Sequence, residues 1–119
     1  MTIRRDGDQN MKTETVIREL GLKEIVGGAP EDYEGVYAGD LLSRAMSRIG
    51  AGELWITIMS NINVVAVANL TEAAAVILAE GVEMTDDVIS AARDKNVAVY
   101  SSGMTVYEIC SAICSLKDQ

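Results

Sequence analysis

The chain of 119 residues, 49% hydrophobic and 24% charged, suits one globular domain that buries its core without disulfide or metal staples. Eighteen acidic against ten basic residues leave a net charge of −8, which repels phosphate backbones and anionic lipid, so neither nucleic acid nor membrane is an expected partner. There is no histidine, which removes the commonest general base and metal ligand, and the two cysteines fit a reducing, cytoplasmic home.

Residues 1–10 are polar, with no periodic apolar face and no signal-peptide core, and are expected to form a flexible tail ahead of a domain over 11–119. From Thr13 onward Val16, Ile17 and Leu20 recur at helical spacing, and Gly21 stands where a C-cap glycine belongs. Lys23-Glu-Ile-Val26 reads as a short strand. It runs into a turn-rich loop holding the single proline, Pro30, and the acids Glu31, Asp32 and Glu34.

Gly35-Val-Tyr-Ala38 is brief and β-prone. Asp40 is placed to cap a following helix whose apolar stripe is Leu41, Leu42, Ala45, Met46 and Ile49, with Arg44 and Arg48 on the other side. Residues 54–58 form a strand rich in β-formers, with Trp55 expected in the core and Tyr37 core or near Asp40. The apolar stretch 62–70 suits either a helix or a strand by itself. Its neighbour decides: residues 74–78 are a continuous apolar run of the kind found in parallel strands covered on both faces, and parallel neighbours need a crossover helix between them.

Thr85 opens a further helix with Asp86 and Asp87 in its first turn, Val88, Ile89 and Ala92 inward, and Arg93 and Lys95 near its end. Residues 97–100 are the next strand. Thr105-Val-Tyr-Glu108 matches a capping box for a last helix with Val106, Ile109, Cys110, Ile113 and Leu116 on its core face. Strands and helices thus alternate from residue 35 onward, which predicts a single-domain α/β/α sandwich with a mainly parallel sheet, right-handed crossovers and a Rossmann-like order of elements.

Ligands of open parallel sheets gather at the carboxyl ends of the strands. Three such loops carry polar side chains: Asp40 in the first, Ser60, Asn61 and Asn63 in the second, and Ser101, Ser102 and Thr105 in the third. These seven residues are the candidate site for a small anion or nucleotide, although capping alone accounts for the same residue types. Gly50-Ala-Gly52 follows a helix and precedes a strand, the reverse of a dinucleotide fingerprint, and no P-loop is present. Cys110 and Cys114, four apart, lack the further ligands a metal site needs and are expected to pack in the core or at an interface. The acidic groups at 31–34 and 80–87 lack calcium-loop spacing and read as solvated faces. No catalytic residues, cofactor or metal are predicted.

The stretch Gly35-Val-Tyr-Ala-Gly-Asp-Leu-Leu-Ser43 resembles the DRTGG domain family, and the resemblance continues through Glu53-Leu-Trp-Ile-Thr57, Asn63-Val-Val-Ala-Val-Ala68, Ala74-Ala-Val-Ile-Leu78 and residues 101–105. It covers most of residues 11–117 and rests on the order and spacing of the segments together. Similar domains occur in bacterial HPr kinase/phosphorylase, in some phosphate acetyltransferases and beside CBS pairs in regulatory proteins. The resemblance implies a bacterial cytoplasmic regulatory domain of α/β type that pairs at dimer interfaces. The name-giving Arg-x-Thr-Gly-Gly is absent, since the region reads Pro30-Glu-Asp-Tyr-Glu-Gly-Val36, and nothing attached to its arginine or threonine carries over. The expected function is a non-enzymatic regulatory or interaction module, homodimeric and acting on a separately encoded partner protein. The alternative is a sensor of a nucleotide or other small anionic metabolite at the seven strand-end residues.

Overall fold

The computed structural model describes residues 11–117; the tail expected over residues 1–10 lies outside them. In chain order it contains α1 (Thr13–Leu20), β1 (Lys23–Val26), β2 (Gly35–Ala38), α2 (Leu42–Arg48), β3 (Glu53–Thr57), α3 (Ile62–Thr71), β4 (Ala75–Leu78), α4 (Asp86–Asp94), β5 (Val99–Ser101) and α5 (Val106–Lys117). The strands form one sheet in the order β1-β5-β4-β3-β2. β2, β3, β4 and β5 are parallel, and β1 closes the far edge antiparallel to β5, with an irregularity between Glu24 and Val26.

Alternation along each strand divides the core between the two faces of the sheet. Leu54 and Ile56 of β3, Ala75 and Ile77 of β4, and Tyr100 of β5 pack with Val16 of α1 and Ile109, Ile113 and Leu116 of α5. Trp55, Val76, Leu78 and Val99 point the opposite way, onto Ala45 of α2 and Ile49 just after it, Val64, Val65, Val67 and Ala68 of α3, and Val88 and Ala92 of α4. The predicted α/β/α sandwich is therefore the observed architecture. Each large side chain fully withdrawn from water here contributes about 1.5–3 kcal/mol before the entropy of ordering is subtracted.

Local signals read from the sequence close most elements as expected. Gly21 ends α1 in the left-handed region at φ 63°, and the Leu22 amide reaches back to the Ile17 carbonyl at 3.0 Å. The Asn61 side chain caps α3 by accepting from the Asn63 amide at 2.9 Å. At α5 the capping box is complete: Glu108 accepts from the Thr105 amide at 3.0 Å, and the Glu108 amide donates to Thr105 Oγ1 at 3.1 Å.

Four expectations need correction. Asp40 does not cap α2: the N-cap position is Leu41, with no side-chain cap, because the Asp40 carboxylate is drawn to β3 instead. Leu41 and Met46 leave the predicted core stripe, standing 64% and 49% exposed, while Ala45 and Ile49 alone bury deeply under a helix of only seven residues. The last strand is shifted, its ladder beginning at Val99 and taking in Ser101. Tyr33, read as part of an acidic loop, is fully buried in the core beside α1 and α5.

Candidate functional site

A parallel sheet opens a ligand crevice where consecutive strands send their helices to opposite faces. Here β2, β3 and β4 are followed by α2, α3 and α4, all on one face, whereas β5 is followed by α5 on the other. The reversal therefore falls between β4 and β5, which puts Ser101, Ser102 and Thr105 beside it and leaves Asp40, Ser60, Asn61 and Asn63 on the part of the edge that has no reversal.

At that reversal the two loops are tied to each other. The Glu80 amide donates to the Met104 carbonyl at 2.8 Å, the Gly81 amide to the Ser102 carbonyl at 2.9 Å, and the Ser102 amide to the Leu78 carbonyl at 2.9 Å. Glu80 and Gly81 reach this arrangement through consecutive left-handed conformations, at φ 58° and 72°. The Ser102 hydroxyl accepts from the Met104 amide at 3.0 Å, and Thr105 is held in the capping box. Ser101 lines a cleft of about 250 Å³ with Lys23, Val82, Glu83, Met84 and Asp86, where β1 borders the sheet.

At the other end of the edge, Asp40 joins two loops. Its Oδ1 accepts from Thr57 Oγ1 at 2.7 Å and from the Ile58 amide at 3.0 Å, while Thr57 Oγ1 accepts in turn from the Met59 amide at 3.1 Å. Thr57 is fully buried, so its hydroxyl needs this partner. Beside it Trp55, also fully buried, donates Nε1–H to the Gly39 carbonyl at 2.9 Å. Asn61 serves α3 as its cap, Ser60 is half-buried and Asn63 is exposed. The seven predicted residues thus sit in separate groups along one edge: Asn61, Ser102 and Thr105 accept from amides two or three residues on, and Asp40 braces the neighbouring loop.

Electrostatics at this edge are set by carboxylates. Asp40 precedes α2, Asp86 and Asp87 occupy the first turn of α4, and Glu108 that of α5. Each lies where a helix dipole favours an anion, and each thereby supplies the negative charge that a phosphate would bring. The Asp87 carboxyl is held below its ordinary value chiefly by the hydrogen bond from Thr85, with help from backbone amides.

A second concavity went unnoticed in the sequence. A cleft of about 500 Å³ separates α1 from the β1–β2 connection, walled by Lys12, Ile17, Arg18, Gly28, Pro30 and Tyr100. Periodicity along α1 does not reveal it, because Tyr100 arrives from β5 and the other wall from an irregular loop. Its cations are already engaged: Lys12 Nζ meets Glu31 at 3.2 Å and Asp32 at 3.0 Å, and Arg18 meets Glu19 at 3.3 Å. The Lys12 pKa is raised chiefly by the hydrogen bond to Asp32, then by that to Glu31. Burial, with the charge of Glu24, raises the Tyr100 phenol, against a hydrogen bond from the Ala29 backbone. Among the described residues no group of three or more Cys, Asp or Glu stands close enough to hold a metal ion. Cys114 is exposed, and the half-buried Cys110 has its thiol pKa raised by burial, which disfavours the nucleophilic thiolate.

No family model matches the sequence, and no curated protein matches it. A solved structure does: the CBS and DRTGG domains of the regulatory region of Clostridium perfringens pyrophosphatase, complexed with the activator diadenosine tetraphosphate, superpose with a TM-score of 0.76 at 13% identity. The fold is shared with that regulatory region. The match covers 98% of this chain and 53% of that one, so this chain spans about half the length of its structural neighbour. The neighbour includes a DRTGG domain, the family that residues 35–43 and the segments after them resemble. No helix among the described residues is long and apolar enough to cross a membrane.

Proposed function

We propose that this chain is a non-catalytic regulatory module that works as a homodimer in the cytoplasm and acts by binding a separately encoded partner protein. The observation that carries the reading is the state of the strand-end edge. The crevice between β4 and β5 is crossed by backbone hydrogen bonds, Asp40, Asn61, Ser102 and Thr105 serve as caps and braces, and carboxylates stand at the starts of α2, α4 and α5. The shared fold supports a regulatory role through a neighbour that is itself a regulatory region.

That neighbour carries a nucleotide activator, which keeps a sensor of nucleotides or phosphorylated metabolites as the second reading. Thermal unfolding at fixed protein concentration separates the two. Adenine nucleotides, diadenosine tetraphosphate and sugar phosphates are expected to leave the melting temperature unchanged. A saturable upward shift, lost in Asn61→Ala and Ser102→Ala variants, overturns the interaction-module reading in favour of the sensor.

A further inference from the structure

Most large apolar side chains exposed on this molecule lie on one layer. Leu41, Met46, Ile58, Ile62 and Leu70 belong to α2, α3 and the segments leading into them, and only Tyr107 lies elsewhere among the described residues. On α3, Ile62, Ala66 and Leu70 repeat every four residues and are all exposed, forming one stripe along the helix. α3 carries no charged residue over its whole length, in a chain of net charge −8. It packs against α2 on one side and α4 on the other, so the stripe runs down the middle of the three-helix layer. Single exposed apolar residues are ordinary on a protein surface, but a continuous stripe at the centre of a face marks a contact.

The flanks indicate what covers it. α2 carries Arg44 and Arg48 and no acid, and neither arginine pairs with a carboxylate among the described residues. α4 carries Asp86 and Asp87 in its first turn and Arg93 and Asp94 at its end, followed by Lys95 at the C-cap, and all five are exposed. The face is therefore apolar in the middle, basic along α2 and acidic at the start of α4. Such a face complements a second copy of itself: a two-fold axis parallel to α3 lays stripe on stripe and sets α2 of each copy over α4 of the other. Turning the axis across α3 lays α2 antiparallel on α2 and sets Arg44 over Arg48 of the other copy.

We infer that the α2–α3–α4 layer is the homodimer interface, closed by a two-fold axis along α3, with Ile62 and Leu70 each meeting their own counterparts. The inference rests on the homodimer reading above and names its surface. In this arrangement Arg44 lies toward the Asp86–Asp87 end of the other copy's α4.

Sedimentation equilibrium of the full chain tests it. The unaltered protein is expected to be dimeric at micromolar concentration. Leu70→Lys, a cation in the last turn of its helix, and Ile62→Asp, an anion in the first, suit the helix dipole and are expected to leave circular dichroism and melting cooperativity intact while yielding monomer. Tyr107→Lys, on the opposite layer, is expected to remain dimeric. Leu70→Glu is also expected to be monomeric alone, yet mixing it with Leu70→Lys restores a dimer, because position 70 faces position 70. Arg44→Glu combined with Arg48→Glu is expected to weaken the dimer by at least about tenfold, equivalent to ~1.4 kcal/mol. An unaltered chain that stays monomeric sinks the homodimer reading itself. Dimers that persist in both Leu70→Lys and Ile62→Asp leave the dimer standing and overturn this face as its surface, whether another surface of this chain or another partner covers the stripe. Monomeric variants that fail to re-pair on mixing overturn the direction of the axis.

Discussion

Asp40 shows how one side chain changes meaning between sequence and structure. An aspartate just before a helix is read as a cap, because capping depends on neighbours two or three residues away. Its actual partners, Thr57 and Ile58, lie 17 and 18 residues on, and no local pattern registers them. Asp40→Ala is expected to cost about 1–3 kcal/mol, the penalty for leaving the buried Thr57 hydroxyl without its acceptor. Urea unfolding should show this as a lower midpoint with an unchanged slope. Thr57→Val removes the other half of the same bond, so the double variant should lose less than the sum of the single losses. Tyr100 gives a pH signature at the same scale. Its pKa is raised in the folded state above the ordinary 10.0, so its contribution is complete below that value and disappears as pH rises toward the folded value. Melting temperature should therefore fall on the alkaline side in the unaltered protein and fall less steeply in Tyr100→Phe.

Elements were legible wherever their signals were local. Gly21, the Thr105–Glu108 capping box and the unbroken apolar run of β4 each act through immediate neighbours, and each is found as read. Thr105→Ala should lower stability by about 1 kcal/mol, measurable by denaturant unfolding, since it releases the Glu108 amide at the start of α5. α4 is stabilised differently at its start, by Thr85 holding the Asp87 carboxylate. Because that carboxyl has a lowered pKa when folded, its contribution is present above the ordinary 3.8 and is lost as pH falls through the folded value. Asp87→Asn should flatten the acid limb of the stability profile, followed by circular dichroism from neutral pH downward. Tyr33 and the exposed half of α2 escaped the reading for a common reason. Burial of a residue in an irregular loop, or exposure of an apolar one, depends on which element lies across from it.

At the scale of the whole molecule the alternation of elements is enough to predict a parallel sheet, but not which strands neighbour each other. β2 to β5 lie side by side in chain order, each joined to the next through one helix, and this leaves a single reversal of helix side, at β4 and β5. That is why the seven strand-end residues do not gather at one crevice. The same topology orders events in time. β2 through β5 assemble from pieces close along the chain, whereas β1 can pair only with β5, near the other end. β1 is thus made well before its strand neighbour, and the sheet keeps an open edge until β5 has been made and β1 folds back onto it.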